Sequence, residues 1–300
     1  MYRNAYVLLL LTTLFWAANS VAGKLAVGHV SPMMLTTLRW TISLALICAI
    51  GWKQFARDWP QVRAHWLVLF SLGTVGFTFF NGAMYSALKY TSAINVSIEQ
   101  AILPMAILAA NFLIFGIRVT WLQMAGFALS VFGVAVTASH GDLSRLAQLD
   151  VNLGDGLMVV AALFYAAYTL GLRYRPPIHW MSLMTALCAA ALVASLPFVA
   201  VEIALDAAIM PDAQGWAVAA FTAIFPSLLA QTFYVRGVEL IGGNRAGLFI
   251  NLVPVLGTLM AIAVLGEAFH AYHAAALALV LGGIALAEYS ARRHALAQTS

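Results

Sequence analysis

Ten long apolar stretches dominate the sequence. They occupy residues 4–23, 32–51, 66–87, 92–115, 121–139, 156–173, 179–201, 215–236, 244–266 and 272–290. Each approaches the roughly 20 residues that an α-helix needs to cross a ~30 Å hydrocarbon core, and none shows the strict alternation of a membrane β-barrel. We therefore expect an all-α integral membrane protein with ten transmembrane helices embedded in a lipid bilayer.

Composition and motifs exclude most other classes of protein. Hydrophobic residues make up 63% of the 300 residues and charged residues only 9%, against roughly 25% charged residues in a soluble domain. The sequence holds no P-loop, HExxH or GxSxG motif, so we expect no enzyme, no catalytic residue and no cofactor. His270 and His273 are spaced to share a metal, but no third ligand accompanies them, so we expect no metal site.

The basic residues indicate the orientation in the membrane. An even number of spans places both termini on one side, and with the termini inside, eleven basic residues fall on inner segments against three on outer loops. Basic residues concentrate on cytoplasmic loops, which predicts cytoplasmic termini and explains the net charge of +4 without nucleic acid. The inner set is Arg3, Lys53, Arg57, Arg63, Arg118, Arg173, Arg175, Arg236, Arg245, Arg292 and Arg293, and the outer set is Lys24, Lys89 and Arg145. Residues 140–155 and 202–214, which include Asp155, Glu202 and Asp212, are interpreted as ordinary solvated outer loops.

An internal repeat divides the chain into two halves, 1–150 and 151–300. The run Leu-Phe-Trp-Ala-Ala at 14–18 recurs as Leu-Phe-Tyr-Ala-Ala at 163–167, an offset of 149. Pairs at an offset of 150 are Asn81 with Gln231, Pro104 with Pro254, and Gly116 with Gly266. Because each half holds five spans, the second enters the membrane with the opposite orientation. Such inverted repeats are typical of secondary transporters, whose substrate site lies between the halves. The alternative is a duplication retained only for packing.

Polar and aromatic side chains within the spans predict a path through the membrane. Polar groups in a bilayer usually face the bundle interior or a water-filled cavity. The outer set contains Asn19, Asn81 and Glu99, and the inner set contains Tyr168, Gln231, Tyr234 and Asn251, with Trp16 and Tyr165 between them. Thr78 and Tyr85 share the face of Asn81. The alternative for each residue is a hydrogen bond between helices, worth roughly 0.6–2 kcal/mol.

Arg39 and Glu99 are the two charges that the sequence places well inside the spans. Each lies seven residues from the outer end of its span, a depth of about 10 Å at about 1.5 Å per residue. An unpaired charge at this depth is costly, so we expect the two side chains to pair with each other or with a polar ligand. The pair either braces the outer gate or contacts a substrate or proton. At the corresponding positions the second half carries Cys188 and Phe249.

Short motifs along nearly the whole chain resemble the drug/metabolite transporter superfamily with paired EamA-type domains. They are Leu-Phe-Trp-Ala at 14–17 with Asn19, Leu-Arg-Trp at 38–40, Pro104, Pro254 and Leu-Gly-Glu at 265–267. The resemblance implies ten helices in two inverted halves. Where the family usually repeats an acidic residue after the glycine of span four, this chain has Ile117.

The resemblance implies a secondary exporter of amino acids or related metabolites in a bacterial-type inner membrane. YddG-like exporters of aromatic amino acids are similar in size and helix count. Asn19, Asn81 and Gln231 would bind the polar backbone of the substrate, and Glu99 would bind a proton or an ammonium group. Two alternatives remain open: efflux of cationic drugs held by Glu99, and a membrane scaffold or enzyme without transport. A monomer is compatible with the sequence.

Overall fold

The computed structural model describes residues 4–117, 119–142, 144 and 152–297, without the side chains of 243–244 and 291–297. Ten helices in these ranges are long and apolar enough to cross a membrane, and the same ranges contain no strand. The expectation of ten spans is confirmed. Arg3, Arg118 and Arg145 lie outside the described residues, as do the side chains of Arg292 and Arg293. Spans one to ten are Ala5–Leu25, Pro32–Ala64, Trp66–Ala87, Ala93–Phe115, Trp121–Ala138, Leu153–Tyr174, Trp180–Ala204, Ala213–Ile241, Arg245–Leu265 and Ala271–Ser290.

The even number of spans places the start of span one and the end of span ten at the same face of the membrane. We call the face at which span one begins and span ten ends the terminal face, and the other the opposite face. Helix starts are capped locally: Ser92 accepts from the Asn95 amide at 3.0 Å at the start of span four, and Thr120 and Gln123 form a reciprocal capping box at the start of span five. These side chains satisfy amides that have no partner within the helix.

The two halves share the same helix irregularities at nearly constant spacing. Span three contains a π-helical segment, Thr74–Phe79, and span eight contains another, Ala223–Leu229. Spans four and nine both end at a left-handed glycine, Gly116 with φ 63° and Gly266 with φ 67°. A side chain would strain the backbone at both glycines. Both spans are also interrupted just before an internal proline, by a 3₁₀ turn at Gln100–Ile102 in span four and a turn in span nine.

The principal helix contacts join one half of the chain to the other. Span two packs on span seven, span five on span ten, span three on span six, and span one on spans eight and nine. The hydrophobic core is therefore shared by the halves. At the centre, Gly257 of span nine approaches Ser97 of span four, whose hydroxyl lies 3.0 Å from that of Ser20 in span one.

Spans four and nine are close only on the opposite-face side of this crossing. There, Ala93–Glu99 packs against Val253–Leu265. On the terminal-face side, Leu103–Phe115 packs mainly on span six, whereas Gly243–Ile250 packs on spans one and eight. The two spans thus separate toward the terminal face.

Carboxylates tie the halves together at the opposite face. Glu202, at the end of span seven, accepts from the Ser31 hydroxyl at 2.6 Å and the Met33 amide at 2.9 Å at the start of span two. Glu267 accepts from the amides of Ala93 and Ile94 at 2.8 and 2.9 Å. The interpretation of Glu202 as part of a solvated loop is corrected, because a helix N-terminus offers free amides and a positive dipole end to a nearby carboxylate.

Candidate functional site

Arg39 lies in a cage of neutral hydrogen-bond acceptors where spans one, two, three and eight meet. Its Nη1 donates to Asn19 Oδ1 at 3.0 Å, to Asn81 Oδ1 at 2.8 Å and to the Tyr85 hydroxyl, and its Nε donates to Ser227 Oγ at 2.7 Å. Arg39 is only 5% exposed. We call these four acceptors the arginine cage. Three of its members, Asn19, Asn81 and Tyr85, were predicted site residues, and the structure brings them together around one guanidinium.

The cage acceptors are themselves held in place by further hydrogen bonds. The Asn81 amide nitrogen donates to the Phe77 carbonyl at 2.8 Å, and the Tyr85 hydroxyl donates to Asn19 Oδ1 at 3.0 Å. Ser227 donates to the Thr222 carbonyl at 2.8 Å. The Phe77 carbonyl lies within the π-helical segment of span three, and the Thr222 carbonyl directly precedes that of span eight. The altered hydrogen-bond pattern of a π-helix leaves such carbonyls available to side chains. The oxygens of the cage are therefore oriented toward Arg39.

The charge of Arg39 is solvated by dipoles but is not neutralised. All four groups that accept from it are neutral, and no acidic side chain in the described part of the chain forms an ion pair with it. Its Nη2 nitrogen donates to none of the described residues, and the Trp40 ring lies 4.8 Å from the guanidinium carbon. A buried guanidinium of this kind is complementary to a carboxylate, which it can bind through a planar fork of donors.

Aromatic side chains extend from the arginine cage toward the terminal face. Tyr168 lies 5.8 Å from both Phe77 and Tyr165, between ring centres, and Phe77 stacks on Trp40 at 4.4 Å. On the other side, Trp16 lies 5.3 Å from Tyr234. We call Trp16, Tyr165, Tyr168 and Tyr234 the aromatic wall. All four are partly accessible, whereas Asn19, Asn81 and Tyr85 are buried. Gln231 is also partly accessible and lies one helical turn beyond Ser227.

Arg39 and Glu99 do not pair with each other, so the first of the two expected arrangements is wrong. Glu99 is 2% exposed and its carboxyl group lies beside that of Asp155 in the first turn of span six. Equal depth did not bring Arg39 and Glu99 together because spans two and four do not share a principal packing contact. The interpretation of Asp155 as a solvated loop residue is also corrected, since Asp155 is only 1% exposed.

Two other predicted site residues have partners outside the arginine cage. Thr78 donates to the Ala191 carbonyl at 2.9 Å, and Asn251 donates to Glu288 at 2.7 Å. Both make the helix-to-helix hydrogen bonds that were the stated alternative. Sequence reasoning did not assign Ser227 or Trp40 to the site. Ser227 lies one turn before Gln231 on the same polar face, a signal that was available in the sequence.

Comparisons with known proteins agree with this architecture. The model of the EamA-like transporter family matches residues 3–139 and 152–289. The chain is 25% identical over 287 residues to Uncharacterized transporter YyaM of Bacillus subtilis (strain 168), covering 94% of this chain and 93% of the relative. It is 23% identical to Uncharacterized transporter YetK of the same organism, covering 94% and 86%.

A solved crystal structure shares the fold with a TM-score of 0.63 and 21% identity, over 96% of this chain and 98% of that chain. The family model matches both halves and together covers most of the sequence. Both relatives are named as transporters. The chain belongs to the EamA-like transporter family.

Proposed function

We propose that this transporter exports amino acids, or related small carboxylates, and that the substrate carboxylate binds Arg39. The observation that carries the proposal is the buried guanidinium with neutral partners only. Holding an uncompensated charge inside a membrane protein is costly. An anionic group that enters the site lowers this cost, so the cage favours carboxylates over neutral and cationic compounds.

The aromatic wall suits the remainder of such a substrate. Trp16, Tyr165, Tyr168 and Tyr234 are partly accessible and supply aromatic ring surface on the terminal-face side of the cage, and Gln231 adds an amide. Aromatic rings gain free energy when they stack offset or edge to face. This arrangement supports neutral amino acids with apolar or aromatic side chains, the specificity suggested by the YddG-like exporters.

Transport proceeds by alternating access between two inverted halves, 1–150 and 151–300, in this proposal. Support comes from the separate match of the family model to each half and from the repeated π-helices and glycine ends. The capped opposite face and the separated terminal-face ends of spans four and nine suit a conformation open toward the terminal face. With the termini in the cytoplasm of a bacterial cell and the protein in its inner membrane, this conformation loads substrate from the cytoplasm.

Efflux of cationic drugs is less compatible with the geometry. Glu99, the anion on which that alternative depended, is buried beside Asp155 and makes no hydrogen bond with Arg39. A cation in the main site would instead meet Arg39. Repulsion between like charges at close range in a site of low dielectric disfavours such a ligand.

Exchange of labelled compounds across proteoliposomes tests the proposal. Vesicles containing the purified full chain are loaded with unlabelled amino acid, and entry of the labelled compound is followed without any added gradient. We expect exchange of a neutral amino acid. We expect no exchange of an uncharged analogue in which an amide replaces the carboxylate and the amine is protected. Arg39→Gln should abolish the exchange, and Arg63→Gln, an exposed basic residue of span two, serves as the matched control. Absence of amino acid exchange in these vesicles, or exchange that persists in Arg39→Gln, contradicts the proposal.

A further inference from the structure

A second polar cluster lies apart from the arginine cage, where span four meets span six. Glu99 and Asp155 are both almost fully buried, and their carboxyl groups face each other. No donor in the described part of the chain lies in good hydrogen-bonding geometry with any of their four oxygens, and the polar side chains nearest to Asp155 are Thr91 and Asn95. Buried polar oxygens in proteins nearly always have a partner. The hydrogen-bond partner of these carboxyl oxygens is therefore something other than the donors of the described residues.

A single proton satisfies this geometry. Two adjacent carboxylates in a buried site cannot both remain ionised, because their mutual repulsion adds to the loss of hydration. One proton converts the repulsion into an O–H···O hydrogen bond to a charged acceptor, which is a strong type. Asp155 lies in the first turn of span six, where the helix dipole favours a negative charge. Asp155 is therefore the charged acceptor, and Glu99 holds the proton.

A cavity at the opposite face ends beside polar neighbours of the pair. The cavity has a volume of about 290 Å³ and is lined by Thr91 and Asn95, which flank Asp155. Toward the terminal face, the neighbours of Glu99 along span four include the buried side chains of Ala101 and Met105. The polar approach to the pair in the described residues is thus on the opposite-face side.

Among the titratable groups around the cavity, His140 is the basic residue close enough to Asp155 for an electrostatic interaction. Lys24 of span one donates to the carbonyls of Leu88 and Thr91 at 2.9 and 2.7 Å and lies near Glu267. The remaining titratable groups that line this cavity are Tyr90 after span three, His140 beyond span five, and His270, Tyr272 and His273 before or within span ten.

The orientation of His273 separates it from the carboxyl pair. Its Nδ1 accepts from the His270 amide at 3.0 Å, so the proton of the neutral ring is on Nε2, which lies 3.1 Å from Asn95 Oδ1. Asn95 in turn donates to the Thr91 hydroxyl at 3.0 Å. None of these contacts supplies a positive charge to Glu99 or Asp155.

We infer that Glu99 and Asp155 form a proton-binding site that exchanges one proton with the opposite face and latches span four to span six. Loss of the proton leaves two carboxylates in contact across the two halves of the chain, and their repulsion drives the spans apart on that side. The inference that the pair binds a proton does not depend on the proposed transport function. The role as a latch rests on the alternating access of the proposed function.

Infrared difference spectroscopy of the purified full chain in lipid nanodiscs tests the site without any substrate. As the pH is raised from neutral to alkaline, we expect loss of one carboxylic-acid carbonyl band in the wild type. Glu99→Gln should abolish this band, because the amide donates to Asp155 without a titratable proton. Asp155→Asn should shift the pH at which Glu99 loses its proton. Glu202→Gln is the matched control and should leave the band unchanged.

Three results overturn the inference. The first is a band that persists in Glu99→Gln, and the second is its absence from the wild type at neutral pH. The third is a band that sodium chloride displaces at constant pH, which identifies the site as one for a metal cation. Failure of amino acid transport in vesicles leaves the infrared result unaffected, so the two proposals fail separately.

Discussion

Glu267 offers a direct test of how the opposite face is closed. Its two oxygens accept from the amides of Ala93 and Ile94 at 2.8 and 2.9 Å, and both of these residues are 0% exposed. Glu267→Ala leaves two amides without their acceptor, at about 1–3 kcal/mol each. Glu267 also lines the opposite-face cavity, so water can replace part of the loss. We therefore expect a total near the lower limit, about 2 kcal/mol, which is a factor of about 30 in local opening.

Hydrogen exchange of the segment Ala93–Glu99, followed by mass spectrometry in nanodiscs, measures this opening. Glu267→Gln keeps one acceptor oxygen and should give a smaller increase in exchange than Glu267→Ala. Glu239→Gln is the control, because Glu239 forms an exposed ion pair with Arg236 at 2.8 Å, a kind of contact worth about 0–1 kcal/mol. Exchange in this segment that is unchanged in Glu267→Ala would refute the reasoning.

Three further predictions concern other parts of the fold. Ile117 follows Gly116 as Glu267 follows Gly266, so Ile117→Glu places a carboxylate at the position equivalent to Glu267. This variant should draw the terminal-face ends of spans four and nine together. The distance between spin labels placed at those ends measures the change. Gly257→Leu should lower the thermal midpoint through overpacking of about 1–3 kcal/mol, whereas Gly247→Ala, where an added carbon meets open space, should not. The hydrogen bond with His29 lowers the pKa of Asp212, so the stabilising contribution of that contact is present above the unfolded-state pKa and is lost as the pH falls through the folded-state pKa. The protection factors of residues 209–215, which correct hydrogen exchange for its intrinsic pH dependence, should fall over that range in the wild type and not in Asp212→Asn.

The membrane spans could be predicted from the sequence because they depend on local properties. The length of an apolar stretch, a capping serine or threonine and a glycine at a helix end act within a few residues. The repeat was visible for the same reason, since each half carries its own copy of the signals. The arginine cage was found in part: Asn19, Asn81 and Tyr85 are polar residues in apolar helices, which marks them for the interior.

The partners of the buried charges could not be predicted, because they depend on which helices pack together. Depth along a span follows from residue counting, but the direction of a side chain around the bundle does not. Arg39 and Glu99 share a depth and face different neighbours. Asp155 was missed because it lies at the boundary between a loop and a helix, where a shift of a few residues decides between solvent and interior.

Binding of a carboxylate at Arg39 is the central claim, and isothermal titration with matched ligands tests it most directly. The ligands are a neutral amino acid that exchanges in the vesicle assay and its carboxamide analogue, and the proteins are the wild type and Arg39→Gln. A hydrogen bond to a charged group contributes about 1.5–3 kcal/mol, so the wild type should prefer the carboxylate by about 10- to 150-fold, and the variant should show no preference. Equal affinity of the wild type for both ligands, or a preference for the carboxylate that survives in Arg39→Gln, would contradict the account.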